Sequence, residues 1–145
     1  PVSGELVHLE KTNDPAFSSR AVGDGVAVVP QEGTVCAPVS GTVAALFPTE
    51  HALGIMSDDS SAQVMLHIGI DTVKLEGKGF HALVAQGDHV DAGQPLVEVD
   101  FDAVRAAGFD PTVFVIVCER SENSTLREHA SGPVAVKEPV VWLSE

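Results

Sequence analysis

The sequence has few basic residues. Its 8 lysines and arginines stand against 21 aspartates and glutamates, which gives a formal net charge of −13 at pH 7. A chain this acidic has no basic patch with which to neutralise phosphates, and this argues strongly against nucleic-acid binding. The same charge would steer a basic protein partner towards the chain, although an acidic charge by itself is more often explained by solubility alone.

Cysteines and long apolar runs are also scarce. Cys36 and Cys118 form no Cys-x-x-Cys pair, so we expect two small buried hydrophobic residues in a reducing compartment. No apolar run approaches the roughly 20 residues of a membrane span, and we expect no signal peptide at the start of the chain. Because the first residue is Pro1, we expect a chain that starts inside a longer product, which leaves open a tethered membrane partner.

Helix-forming stretches are few, whereas valine, glycine and proline recur at short intervals. This composition favours an all-β fold with many tight turns, and 145 residues suit one domain. The segment Pro1-Val-Ser-Gly-Glu-Leu-Val recurs as Pro38-Val-Ser-Gly-Thr-Val-Ala. Two copies predict a duplicated β unit in which a turn precedes a strand.

Local signals predict three further elements. Asp102 can cap a short helix that ends before Gly108, and the apolar run 111–118 has the length of a buried central strand. The polar segment 120–130 is expected to contain one more helical turn. We therefore expect one or two short helices beside the strands.

Two histidines flank a polar turn in the segment 47–71. The turn signal is Ser57-Asp-Asp-Ser-Ser61, and short apolar runs lie on either side of it, which predicts a β-hairpin. If the turn is centred on Asp59, His51 lies directly opposite His67. Their Cβ atoms would then be roughly 4.5 to 5.5 Å apart.

Alternation along the strands predicts two apolar faces of this hairpin. One face can form the core, and the face with the histidines is an apolar patch for another surface to cover. An isolated histidine in an apolar strand is more often a hydrogen-bonded core residue, and this alternative stays open on spacing alone. The histidine face is expected to include Leu53, Ile55, Gln63 and Met65. The opposite face is expected to include Ala52, Val64, Leu66 and Ile68.

Five motifs support a family resemblance. In their order and spacing, the chain resembles the glucose-type enzyme IIA domain of the bacterial phosphoenolpyruvate-dependent sugar phosphotransferase system over nearly its whole length. The resemblance implies a single cytoplasmic phosphoryl-carrier domain over residues 1–145, with an all-β fold that is an antiparallel β-sandwich/barrel hybrid. The motifs are Val22-Gly-Asp-Gly-Val26, Ala37-Pro-Val-Ser-Gly-Thr42, Phe47-Pro-Thr-Glu-His-Ala52, His67-Ile-Gly-Ile-Asp-Thr-Val73 and Gly77-Lys-Gly-Phe80.

The resemblance also implies roles for four residues. His67 would accept phosphate on Nε2 from the phosphocarrier HPr and pass it to a cysteine of a sugar-specific IIB domain, which could lie on the same polypeptide as a membrane IIC domain. Its Nδ1–H would donate to the carbonyl of Gly69. His51 would donate to the phosphoryl oxygens, and the Thr49 hydroxyl would hold the His51 ring.

Transfer between two proteins needs a docking surface from which water is excluded. The apolar candidates are Phe17, Val22, Phe47, Leu53 and Met65, and some of these could instead be ordinary core residues. Asp14 and Asp71 match acidic family positions and could meet arginine on HPr.

Two other functions fit part of this pattern. His67 and Asp71 have the His-x-x-x-Asp spacing of lysostaphin-type zinc peptidases, but the sequence lacks the His-x-His pair that such a site needs. The chain could also be a purely regulatory binding module, in which the histidines have no role in catalytic turnover. No cofactor is required for the carrier, although His51, His67 and a partner's carboxylate could together hold Zn²⁺.

Overall fold

An eight-stranded antiparallel sheet is the largest element of the fold. A computed structural model of the chain describes residues 2–12, 24–31, 33–58, 62–120, 125–128, 132–134 and 141–144. Within these ranges, the large sheet has the strand order β12-β1-β2-β10-β6-β5-β4-β8, and smaller sheets have the orders β3-β9-β7 and β11-β13. The strands are β1 (Gly4–His8), β2 (Asp24–Pro30), β3 (Thr34–Cys36), β4 (Gly41–Leu46), β5 (Ala52–Ser57), β6 (Ala62–Ile68), β7 (Phe80–Ala82), β8 (His89–Val90), β9 (Pro95–Val99), β10 (Val113–Arg120), β11 (Thr125–Glu128), β12 (Gly132–Val134) and β13 (Val141–Ser144).

The main core joins the large sheet to the three-stranded sheet. Leu66 and Ile68 of β6 pack in one buried cluster with Val35 of β3 and with Leu96 and Val97 of β9. Burial of each such aliphatic side chain contributes about 1.5 to 3 kcal/mol. The antiparallel β-sandwich expected from the resemblance is therefore confirmed.

The two copies of the repeated sequence form the starts of two strands, β1 and β4, in the same way. Gly4 begins β1 and Gly41 begins β4, and a Cβ on either glycine would collide with a backbone carbonyl of the neighbouring strand. The serine carbonyls just before them, on Ser3 and Ser40, each accept a backbone N–H from the chain that follows the partner strand. Each copy is a turn followed by a strand, as the repeat predicts.

The apolar run at 111–118 forms the central strand β10, which lies between β2 and β6. Its register with β6 shifts between Val117 and Glu119. Cys118 is the extra residue at this bulge, and it is exposed. The prediction of a buried Cys118 was therefore wrong, because a bulged residue leaves the alternation of the strand, whereas Cys36 is buried as expected.

One short α-helix, α1 (Phe101–Ala106), is the only α-helix among the described residues. Its N-cap is Asp100, whose side chain accepts the N–H of Ala103 at 3.0 Å, so the assignment of the cap to Asp102 was wrong by two residues. Asp100 fits because its backbone is not helical, as N-cap geometry requires. No helix in the described part of the chain is long and apolar enough to cross a membrane.

The segment 120–130 contains a strand where one more helical turn was expected. Thr125–Glu128 forms β11, which pairs antiparallel with β13. A partner strand from the end of the chain supplies the backbone hydrogen bonds, and local polarity carries no signal for such a distant pairing. Two 3-10 helices, Leu9–Lys11 and Thr72–Leu75, complete the described elements.

Candidate functional site

The β5–β6 hairpin has a register one residue away from the predicted one. Ala52 pairs with His67, and Leu53 pairs with Leu66. His51 lies just before β5, where its carbonyl accepts the N–H of Ile68 at 2.7 Å. The prediction that His51 lies directly opposite His67 was wrong, because the two strands pair with a register shifted by one residue, so that Ala52 rather than His51 is opposite His67.

A tight turn before β5 nevertheless brings the two rings together. The N–H of Glu50 donates to the Phe47 carbonyl at 2.8 Å, and Glu50 has a left-handed backbone with φ of 62°. His51 follows this turn directly, so the alternation of β5 does not set its side-chain direction. The His51 and His67 ring centroids are 5.2 Å apart, with an angle of 84° between the planes.

His51 is buried, with 3 % of its surface exposed. Its Nδ1 lies 2.5 Å from the hydroxyl of Thr49, and its ring contacts Phe47 edge-on at 5.5 Å between centroids. Burial lowers the pKa of His51 below 6.5, and the neighbouring His67 lowers it further. A neutral ring that accepts the Thr49 hydroxyl on Nδ1 carries its hydrogen on Nε2 and can donate it.

His67 is half-buried on β6, and a backbone carbonyl sets its tautomer. Its Nδ1 lies 2.8 Å from the carbonyl oxygen of Gly69. A carbonyl oxygen only accepts, so Nδ1 carries the hydrogen and the Nε2 lone pair of the neutral ring is a potential nucleophile. The Phe114 ring lies beside it, 6.3 Å away between centroids.

The loop after β6 requires glycine at position 69. Gly69 has φ of +81°, and a Cβ there would meet a methyl group of Thr72 and, at 3.0 Å, the carbonyl oxygen of Asp110. The Gly69 N–H donates to the Thr112 carbonyl at 2.8 Å, and the Ile70 N–H donates to the Asp110 carbonyl at 2.9 Å. The segment 110–112 therefore holds the loop that faces His67.

The face of the large sheet that carries His67 is apolar. Strand pairing places His67 beside Phe114, Phe114 beside Ala27, and Ala27 beside Val7. Met65 packs on the same side, half-buried against a second cluster that includes Phe114. Val64, Leu66 and Ile68 alternate into the main core, so β6 has the two apolar faces that were predicted.

The one-residue shift reverses the faces predicted for β5. Leu53 and Ile55 lie in the main core beside Leu66 and Val64. Leu53 is 1 % exposed and is not available to a partner. Its assignment to the docking surface was therefore wrong, and the reason is the register.

The other candidate docking residues differ in their accessibility. Phe47 is 47 % exposed, Met65 is half-buried and Asp71 is exposed. Asp71 has a left-handed backbone, with φ of 61°, directly before the 3-10 helix Thr72–Leu75. Phe17, Val22 and Asp14 lie outside the described residues.

Three residues that contribute to this site were missed: Phe114, Asp110 and Thr112. Phe114 was placed only in a central strand, and its contact with His67 depends on pairing between β10 and β6, for which the sequence has no local signal. Asp110 and Thr112 flank Pro111, and an Asp-Pro-Thr turn is a recognisable turn signal. Nothing in that signal relates the turn to His67.

A comparison with protein families matches most of the chain. The sequence model described as phosphoenolpyruvate-dependent sugar phosphotransferase system, EIIA 1, matches residues 1–123. The chain belongs to this family. As an EIIA domain it is the phosphoryl carrier of a sugar-uptake system, and the resemblance inferred from the motifs is confirmed.

Individual relatives agree with this assignment. The EIIA domain is 43 % identical over 137 residues to a PTS system glucose-specific EIICBA component of Streptococcus pneumoniae, which covers 94 % of this chain and 19 % of that protein. It is 42 % identical over 144 residues to a PTS system beta-glucoside-specific EIIBCA component of Bacillus subtilis, with 99 % and 24 % covered. The chain thus spans about a fifth to a quarter of the length of these relatives.

A solved structure matches the fold of the EIIA domain. The glucose permease IIA from Mycoplasma capricolum superposes with a TM-score of 0.89 and 34 % sequence identity, over 97 % of this chain and 90 % of that chain. Because the chain belongs to the EIIA family, we do not assign it to the zinc peptidases. Within the described residues, no three His, Cys, Asp or Glu side chains are grouped as ligands for a metal ion.

Proposed function

We propose that Nε2 of His67 is the atom that carries the phosphoryl group. The observation that supports this most directly is the hydrogen bond from Nδ1 of His67 to the Gly69 carbonyl. It leaves the ring lone pair on Nε2 of the neutral imidazole. The lone pair attacks phosphorus in line with the donor, so the P–Nε2 bond forms as the bond from phosphorus to the donor breaks.

His51 stabilises the transferring group without forming a covalent bond to it. Its Nε2–H donates to phosphoryl oxygens, and the Thr49 hydroxyl keeps the ring in the tautomer that makes this possible. The lowered pKa of His51 keeps the ring neutral near pH 7. Its donor is therefore in place before transfer, and no proton has to be lost or gained.

The donor protein is HPr, and the acceptor is a cysteine of a sugar-specific IIB domain. Among the described residues, Phe47, Met65 and Asp71 form the docking surface, and Leu53 is not part of it. The printed names of the relatives combine A with B and C components, which supports IIB and IIC partners on the same polypeptide or beside it. The domain, residues 1–145, works in the cytoplasm at the inner face of the membrane.

Phosphorylation with purified components tests this proposal. Incubation with phosphoenolpyruvate, enzyme I and HPr is expected to give an acid-labile, base-stable phosphate on the wild-type chain and none on His67→Gln. His51→Gln is expected to accept phosphate and to pass it on slowly. Phosphate on His67→Gln would overturn the assignment of the acceptor, and a His51→Gln chain that accepts none would overturn the division of roles.

Zinc binding is a second property that the paired rings support. Two imidazoles whose centroids are 5.2 Å apart could supply two ligands, and a partner's carboxylate could supply a third, which makes an open tetrahedral site. Calorimetric titration of the chain with Zn²⁺ and a carboxylate-bearing partner is expected to lose its heat in His51→Ala. An unchanged titration would remove the proposal, and phosphoryl transfer would not depend on it.

A further inference from the structure

Asp110 lies outside the paired histidines, on the loop that leads into β10. It is half-buried, and its Oδ1 accepts two hydrogen bonds from Thr112: one from the backbone N–H at 2.9 Å and one from the hydroxyl at 2.5 Å. A carboxylate that accepts both bonds closes the turn 110–112 around itself. The backbone of this turn therefore has a defined shape.

The turn presents two backbone carbonyls to the loop after β6. The Asp110 carbonyl accepts the N–H of Ile70 at 2.9 Å, and the Thr112 carbonyl accepts the N–H of Gly69 at 2.8 Å. Thr112 is buried, so water does not compete easily for its carbonyl. Both N–H groups of the loop are thus held by one turn.

The peptide group between Gly69 and Ile70 connects this turn to His67. Its N–H donates to Asp110, and its carbonyl oxygen accepts Nδ1–H of His67 at 2.8 Å. A peptide group is planar, with N–H and C=O on opposite sides. Whatever fixes the direction of the N–H therefore fixes the direction of the carbonyl. Hydrogen bonds in such a chain also polarise one another, which strengthens the carbonyl as an acceptor.

The backbone of Gly69 could rotate without this support. Glycine populates many conformations at little cost, and at φ of +81° no Cβ restricts it. The neighbouring Ile68 carbonyl is held from the other side by the Thr72 hydroxyl. The direction of the Gly69 carbonyl thus depends on the Asp110 turn rather than on Gly69 itself.

We infer that Asp110 is a positioning residue for phosphoryl transfer, which acts through the Gly69–Ile70 peptide to hold His67 in the tautomer with a lone pair on Nε2. This inference rests on the proposed role of His67. Asp110 itself need not touch the phosphoryl group or the partner. The effect comes from the two hydrogen bonds that its side chain accepts.

The test compares Asp110→Ala, Asp110→Asn and Thr112→Val with the wild-type chain. Asparagine can still accept both hydrogen bonds through Oδ1, whereas alanine accepts neither, and Thr112→Val removes only the hydroxyl bond. Asp102→Ala is the matched control, because its side chain is fully exposed and lies on α1. Nitrogen NMR of the imidazole rings at neutral pH, without any phosphate donor, reports the tautomer of His67. The rate of phosphorylation by HPr is measured in parallel.

We expect the His67 signals of Asp110→Ala to move towards the Nε2–H tautomer, and its phosphorylation rate to fall by about 10-fold. Thr112→Val is expected to show a smaller shift in the same direction, and Asp110→Asn and Asp102→Ala to match wild type. An unchanged His67 tautomer in both Asp110→Ala and Thr112→Val would overturn the inference. If Asp110→Ala fails to fold, Thr112→Val decides alone. If HPr does not phosphorylate the wild-type chain, the proposed function is refuted. The NMR comparison uses no phosphate donor, so its result for the His67 tautomer does not depend on that outcome.

Discussion

The ring of His51 lies 5.2 Å from the ring of His67 between centroids, although the residue paired with His67 across the hairpin is Ala52. The rings meet because His51 belongs to the turn before β5 and not to the strand. The site therefore depends on two loops, 47–51 and 69–71, that end the same hairpin. Changes in either loop should affect transfer without unfolding the sheet.

Loss of the Thr49 hydroxyl should slow onward transfer. Thr49→Val removes the hydrogen bond to Nδ1 of His51 but keeps the shape of the side chain, so the His51 ring loses the contact that selects its tautomer. We expect transfer to the IIB cysteine to slow by roughly 10-fold while acceptance from HPr continues. Single-turnover transfer from the phosphorylated domain measures this, and Thr49→Ser, which keeps the hydroxyl, is the control. Equal rates for Thr49→Val and wild type would contradict the role of Thr49.

A side chain at position 69 should disturb both stability and acceptance of phosphate. Gly69→Ala places a Cβ against Thr72 and the Asp110 carbonyl at a φ of +81°. We expect a loss of about 2 kcal/mol in the free energy of unfolding, measured by urea denaturation, together with slower phosphorylation. Gly54→Ala is a suitable control, because a Cβ there has its nearest neighbours at 4.0 Å. A Gly69→Ala chain as stable as wild type would show that the loop can rearrange.

Two substitutions of Glu50 should distinguish the cost of its strained backbone from the stabilisation that its side chain provides. Glu50 has a φ of 62°, and its carboxylate accepts the N–H of Ala82 on β7 at 3.2 Å. Glu50→Ala loses the anchor and keeps the strained backbone, whereas Glu50→Gly loses the anchor but removes the strain. We expect Glu50→Ala to be destabilised by about 1 kcal/mol and Glu50→Gly by less. Urea denaturation of the two variants measures the difference, and the reverse order would contradict this account.

The stability of the chain should fall with pH through His51. The folded-state pKa of His51 lies below 6.5 because of its burial and the nearby His67, so the unfolded chain binds a proton at a higher pH than the folded chain does. The contribution of His51 to the free energy of unfolding is therefore fully present above pH 6.5 and is lost as the pH falls towards the folded pKa. Urea midpoints across this range should decline less steeply in His51→Gln. An identical slope in both proteins would contradict the lowered pKa.

His89 should change the stability of the chain with pH in the direction opposite to His51. Its Nε2 lies 3.0 Å from the carboxylate of Asp58, and this hydrogen bond, with the charge of Asp58, raises the pKa of His89 above 6.5. Any stabilisation is present below pH 6.5 and disappears as the pH rises through the folded pKa. Both side chains are exposed, so the effect on stability should be small. Asp58→Asn separates the two contributions in the same titration, because it affects His89 and leaves His51 unchanged.

Removal of the Phe47 ring should weaken docking more than folding. Phe47 is 47 % exposed, so Phe47→Ala exposes little new core, and we expect a rise in KM for HPr of several-fold with a much smaller change in the urea midpoint. Val29, on β2 and 38 % exposed, is a surface residue outside the proposed docking surface. Val29→Ala should leave KM for HPr unchanged. Equal effects of the two variants would indicate that Phe47 has no special part in docking.

The sequence by itself was sufficient to determine the all-β class, the duplicated turn-and-strand unit and, through five motifs, the family resemblance. The expected contacts of Thr49 and Gly69 with the two histidines came from that resemblance, whereas the β class and the repeat depend on local turn residues and glycines. Tertiary structure alone decided the hairpin register, and with it the burial of Leu53, because a shift of one residue exchanges the two faces of a strand. It also decided the bulge that exposes Cys118 and the contacts of Phe114 and Asp110 around His67. Those contacts join residues that are forty or more positions apart in the sequence, and no local pattern encodes which distant strand will pair with β6.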